Sequence, residues 1–139
     1  MGKKEELKQI IKDHVFITAT DPAVPQGVKP DYWIMDFRRV VMQGHASDVI
    51  TDLFHEEFTN QYPFQVGTLE IGGVPLATAI VNKLYARGRH DANAFFVRKS
   101  RKKAGLFRMV EGVVQPDKKI ILVDDVINSG DSFWRQIEV

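Results

Sequence analysis

The segment from Ile120 to Ser132, IILVDDVINSGDS, constrains this chain more than any other. Lys119 to Val123 reads as a strand that is apolar on both faces, and such strands belong in the middle of a parallel sheet. The strand ends in two adjacent carboxylates, Asp124 and Asp125. A turn of small residues follows, and a helix begins near Asp131 or Ser132. In open α/β sheets, ligands bind beyond the carboxyl ends of the strands. Acids there suit hydroxyl groups, while the backbone N–H groups of a small-residue turn and a helix N-terminus suit phosphate. An Asp-rich loop capping a helix would account for either acid alone. The whole pattern of apolar run, acid pair, Ser129-Gly130 and the Ser132 hydroxyl points instead to a sugar phosphate.

The rest of the chain alternates helices with short strands. Leu7, Ile10, Ile11 and His14 lie at helical spacing, which predicts an amphipathic helix over Lys3 to His14. Asp21 to Pro30 is turn-rich and excludes a long regular element. Tyr32 to Phe37 reads as a strand, and Gly44 to Thr59 as a helix with Val49, Ile50, Leu53, Phe54 and Phe58 on one face. Gln65 to Leu69 is a strand. Val74 to Ala86 is a helix with Pro75 in its first turn, where a missing N–H costs nothing. Ala94 to Val97 is a further strand, and Ser100 to Val110 lacks clean periodicity. This alternation predicts an α/β fold with a mostly parallel sheet flanked by helices. With 139 residues, the chain is one domain's worth, residues 1–139.

Two other clusters carry chemistry. Glu70-Ile71-Gly72-Gly73 joins a strand to a helix, leaving unobstructed amides for a second anion. Arg98, Lys99, Arg101, Lys102, Lys103 and Arg108 form a basic segment. Net charge is only +1, so no general basic excess points to nucleic acid. No apolar run reaches the roughly 20 residues of a membrane span. The absence of Cys excludes thiolate metal sites and fits a cytoplasmic protein. His14, His45, His55 and His90 show no metal-ligand spacing.

These residues resemble the type I phosphoribosyltransferases, most of all the orotate phosphoribosyltransferases. The run through Asp124-Asp125 and Asn128 to Ser132 looks like the family's ribose-phosphate signature. Glu70 to Ala77 is similar to its pyrophosphate loop and following helix. Phe95 to Lys99, with Lys102, Gly105 and Glu111-Gly112, resembles its strand and catalytic loop, and Tyr32 to Arg39 is similar to its early strand. The resemblance covers the chain from about Tyr32 onward. It implies a Rossmann-like type I fold, and an enzyme that transfers the 5-phosphoribosyl group of phosphoribosyl pyrophosphate to a nucleobase, orotate first, with release of pyrophosphate.

The resemblance also implies roles. Lys102, Asp124 and Asp125 are the expected catalytic residues. Asn128, Ser129, Gly130, Asp131 and Ser132 are expected to hold the 5′-phosphate. Glu70, Ile71, Gly72, Gly73, Arg98, Lys99 and Lys102 are expected at the pyrophosphate. Mg²⁺ is expected to arrive with the substrate, without a dedicated protein ligand, and a homodimer is implied in which Lys102 reaches the neighbouring subunit. Three departures stand beside this. Gly72 replaces a frequent Lys, Ala104-Gly105 replaces a typical His-Gly, and the family's usual strands after the last helix are not in this sequence. The fold is therefore expected to be truncated at its C-terminal end. Ala104 and that shortened end favour an alternative, a phosphoribosyl pyrophosphate-binding regulator without turnover. Arg98, Lys99 and Lys102 favour the enzyme.

Overall fold

The computed structural model describes residues 2–100 and 108–139. The chain opens with helix α1 (Lys3–Ile10), which widens into a π-helical turn over Ile11–Val15. The helix expected to His14 thus changes pitch after Ile10, and the wider turn ends on Val15, fully buried beside Val40 and Ala46. Strands β1 (Phe16–Thr18) and β2 (Trp33–Asp36) flank the turn-rich stretch. A 3₁₀ turn over Phe37–Arg39 leads towards α2 (Gly44–Phe58). Next come β3 (Phe64–Leu69), α3 (Val74–Ala86), β4 (Ala94–Val97), β5 (Val110–Gly112), β6 (Lys119–Val123), β7 (Val126–Ile127) and α4 (Asp131–Glu138).

The central sheet has the order β5-β4-β3-β6. Strand β3 runs parallel to both β4 and β6, and β5 joins antiparallel at one edge. A second, antiparallel sheet orders β1-β2-β7. The fold is α/β with a mostly parallel central sheet flanked by helices, as the alternation predicts. One detail differs. The strand read as central, β6, pairs with β3 alone and forms the sheet's edge, leaving Ile120 46% exposed. The strand buried along its whole length is β3.

Its neighbours explain that burial. Phe64 and Val66 pack with Leu76, Ala77, Ile80 and Leu84, the stripe that α3 turns inward, and with Val41. Each large side chain so buried contributes about 1.5–3 kcal/mol of transfer free energy. Gln65 is buried yet satisfied. Its amide donates to Gln115 O at 2.6 Å, and its carbonyl oxygen accepts from Gln115 N at 3.0 Å. These bonds tie β3 to the loop that precedes β6.

The parallel register places the chemistry. Thr68 pairs with Val123, and Leu69 with Val97. Strands β3, β6 and β4 therefore finish at the same end of the sheet, and the residues just after each of them are delivered to one place.

Candidate active site

At that end lies a cleft of about 360 Å³. Its walls include Glu70, Ile71 and Gly72 after β3, Lys99 after β4, Asp124 and Asp125 after β6, and the whole loop from Asn128 to Ser132. Residues far apart in sequence, singled out as acid pair, glycine turn and small-residue loop, form one surface. Gly73 sits just behind the wall, packed over the Thr68 hydroxyl so closely that a Cβ would fall 1.9 Å from it. Lys102, with Ala104 and Gly105, lies outside the described residues.

Asp125 is the most enclosed acid of the cleft, with 6% of its surface exposed. Burial pushes its carboxyl up to about 6, and the Asp124 carboxyl beside it acts in the same direction. Asp124 is engaged differently. Its Oδ1 accepts from Asp125 N at 2.9 Å, and its Oδ2 accepts from the Ser132 hydroxyl in the first turn of α4. The Ser132 contact closes the loop back onto the strand that launched it. Within that loop, Asn128 Nδ2 donates to Trp33 O at 2.9 Å, and the Ser129 hydroxyl donates to Asp131 at 2.8 Å. These contacts hold the loop's shape. Gly130 has φ +85°, a left-handed conformation natural to glycine, and it starts α4 at Asp131 without a side-chain cap.

The glycine turn abuts the acid pair. A Cβ built on Gly72 would lie 2.0 Å from Asp125 Oδ2. Only a residue without a side chain leaves that carboxylate where it is. The Glu70–Ile71 peptide is cis. Glu70 itself does not offer its carboxylate to the cleft as a free group, because Oε1 accepts from Lys99 N at 2.7 Å. It thereby fixes the corner at which β4 hands over to Lys99. Arg98 lies 3.7 Å from both Glu70 and Glu111 and is absent from the cleft wall.

Sequence reasoning missed Arg38, which lines the cleft. Its guanidinium grips Asp36 with two bonds, Nε to Oδ1 at 2.8 Å and Nη2 to Oδ2 at 2.7 Å, and its Nε lies 3.5 Å from Asp125 Oδ2. The available signal was the pair Arg38-Arg39 directly after a strand. Among the described residues, no group of three or more His, Asp or Glu side chains could hold a metal ion, and no helix is long and apolar enough to cross a membrane. The cleft thus combines a carboxylate pair, a glycine turn, a small-residue turn at a helix start and a lysine.

The chain is similar to known proteins in sequence and in fold. Over 129 residues the chain is 37% identical to the orotate phosphoribosyltransferase of Corynebacterium glutamicum, covering 93% of this chain and 67% of that protein. It is 32% identical to that of Streptomyces coelicolor over 133 residues, covering 96% of this chain and 71% of that protein. Among solved structures, a phosphoribosyltransferase from Corynebacterium diphtheriae superposes with a TM-score of 0.73 at 29% identity, covering 99% of this chain and 74% of that one. The Mycobacterium tuberculosis H37Rv orotate phosphoribosyltransferase in complex with 5-phospho-α-D-ribosyl 1-diphosphate gives a TM-score of 0.71 at 26% identity, covering 99% and 73%. No protein-family model matches the chain.

Proposed function

Because the chain belongs to the orotate phosphoribosyltransferases, glycosyltransferase-type enzymes of pyrimidine synthesis with a type I phosphoribosyltransferase fold, we propose that it joins orotate to the 5-phosphoribosyl group of phosphoribosyl pyrophosphate. In that reaction the bond from ribose C1 to the pyrophosphate oxygen breaks, and pyrophosphate leaves with the electron pair. A bond from C1 to the base nitrogen forms as the N–H bond at that nitrogen breaks, its proton passing to pyrophosphate or water. Positive charge develops on the sugar ring and negative charge on the leaving group. The observation that carries the reading is the convergence of Glu70–Gly72, Asp124-Asp125 and Asn128–Ser132 on one cleft. We take residues 1–139 as one domain of this kind.

Each group has a role in this reading. Asp124 and Asp125 accept hydrogen bonds from the ribose hydroxyls, and their charge favours the electron-poor ring. The amides and hydroxyls of Asn128 to Ser132 hold the 5′-phosphate at the start of α4. The Gly72-Gly73 amides and Lys99 screen the leaving pyrophosphate, with Arg98 and Lys102 assigned to the same charge by resemblance. The carboxylate pair beside a phosphate-sized cleft suits Mg²⁺ that arrives on the substrate, because Mg²⁺ keeps several waters and binds through phosphates. When bound, it would neutralise phosphate charge. A homodimer in which Lys102 serves the neighbouring subunit belongs to the same proposal.

Calorimetric titration with phosphoribosyl pyrophosphate and Mg²⁺, followed by a pyrophosphate-release assay with orotate, uracil and adenine, tests the proposal. Release dependent on orotate is expected. Binding without release for any base would leave a binding protein without turnover. Gly72→Ala probes the cleft directly. The added Cβ forces Asp125 aside, so affinity for the Mg²⁺ complex of phosphoribosyl pyrophosphate should fall about tenfold or more with an unchanged circular dichroism spectrum. Wild-type affinity in this variant would show that Asp125 can yield without loss.

A further inference from the structure

We propose that Arg38 is a positioning residue for Asp125: gripped by Asp36, it presents a fixed cation to the buried carboxylate and sets both its orientation and its charge state in the cleft. The inference deepens the functional reading above and rests on Asp125 holding the ribose.

The construction is rigid. The Arg38 fork is bound twice by Asp36, and Asp36 Oδ1 also accepts from Arg38 N at 3.0 Å. The 3₁₀ turn that carries Arg38 is stapled to the acid loop by Phe37 N donating to Asp125 O at 2.7 Å. The pairing of β2 with β7 aligns Asp36 with Val126, the residue after Asp125. Backbone and side chain thus move as one unit with Asp125. The Gly72 backbone also lies against the carboxylate, nearest the same Oδ2 that faces Arg38. The Asp125 carboxylate thus meets both a glycine turn and a guanidinium.

The charges around it make that guanidinium matter. Asp124 adjoins Asp125 at the end of β6. Glu70 follows β3, Lys99 follows β4, and Asp131 starts α4, all on the cleft wall. Asp36 comes from β2, its charge taken up by Arg38. Among the described residues, Arg38 is the cation paired with Asp125. Burial and Asp124 both favour the protonated acid, and Arg38 opposes them. A protonated Asp125 has one fewer acceptor for ribose hydroxyls, so Arg38 governs how much of the acid is competent near neutral pH.

The experiment is a carboxyl ¹³C NMR titration of the unliganded protein, with Asp125 assigned through its Asn variant. In Arg38→Met, the Asp125 midpoint should move up by about one unit. Arg38→Lys, which restores the charge without the fork, should recover part of that shift. Affinity for phosphoribosyl pyrophosphate with Mg²⁺ should fall about fivefold in Arg38→Met at pH 6, with the deficit shrinking by pH 8, because a one-unit rise protonates most of the acid at the lower pH only. An unmoved midpoint in a folded Arg38→Met protein would overturn the inference, as would an affinity deficit independent of pH. Failure of the wild type to bind the substrate overturns the functional reading instead, since the NMR midpoint needs no ligand.

Discussion

Asp125→Asn is expected to abolish most turnover while making the protein more stable. The amide keeps the shape of the carboxylate but loses its charge and one acceptor. A single well-placed electrostatic contact in a water-poor site is worth about 3 kcal/mol at the transition state, so pyrophosphate release should slow at least a hundredfold. The stability effect has the opposite sign. The Asp125 carboxyl stands at about 6 in the folded chain against an ordinary 3.8. The folded state therefore holds its proton more tightly than the unfolded state, and stability falls as pH rises from about 4 through 6. Above that window the ionised acid costs about 2–3 kcal/mol. The Asn variant avoids most of this and should melt higher than the wild type at pH 7.5. At pH 3, where the group is protonated in both the folded and the unfolded chain, the two melting curves should nearly coincide. Turnover within tenfold of wild type would remove Asp125 from the reaction. A variant that melts lower at pH 7.5 would show that the carboxylate contributes favourable contacts that outweigh its burial.

Such a group, costly to the fold and proposed for the chemistry, leaves a local trace. An apolar strand followed by paired acids and Ser-Gly can be read within thirteen consecutive residues. Helix α3 could be read the same way, from Pro75 and its inward stripe. What stayed hidden depends on contacts between distant segments. Strands β1, β5 and β7 are two or three residues long, too short for periodicity, and they exist only through their partners. Arg38 could not be linked to Asp125 without the pairing of β2 with β7. For Arg98 the sequence shows a cation in a basic segment, yet among the described residues its ion-pair partners are Glu70 and Glu111. Strand β6 is apolar on both faces, which suits a central strand, but face polarity reports what covers a strand and not how many neighbours pair along its edges. The parallel register of β3, β4 and β6, the one long-range feature that the α/β alternation does imply, is what brings the separate motifs together.

Asp52→Ala should destabilise the fold by about 2–3 kcal/mol, which for a domain of this size lowers Tm by roughly 10 °C. Asp52 lies in the middle of α2, 4% exposed, and joins three helices. Its carboxylate accepts from Lys3 at the start of α1 and from Arg87 beyond the end of α3, and Lys83 Nζ lies 2.8 Å away. An isolated surface ion pair contributes little. This acid differs because it is buried and meets three cations, so removing it strands their charges beside a low-dielectric surface. The partners are partly in water, Lys3 at 42% and Arg87 at 35% exposure, which keeps the expected loss below that of a fully buried pair. The bonds from Lys3 and Lys83 hold the Asp52 carboxyl down at about 2, below its ordinary 3.8. Its folded-state pKa is depressed, so its contribution is complete above about pH 4 and disappears as pH falls towards 2. Chemical denaturation at pH 7 and pH 2.5 measures both effects. The variant should be clearly weaker at pH 7, and the difference should shrink at pH 2.5. A loss below 1 kcal/mol at pH 7 would mean that hydrophobic packing of α2 against α3 alone holds the helices, with the ionic cluster contributing no more than exposed pairs do.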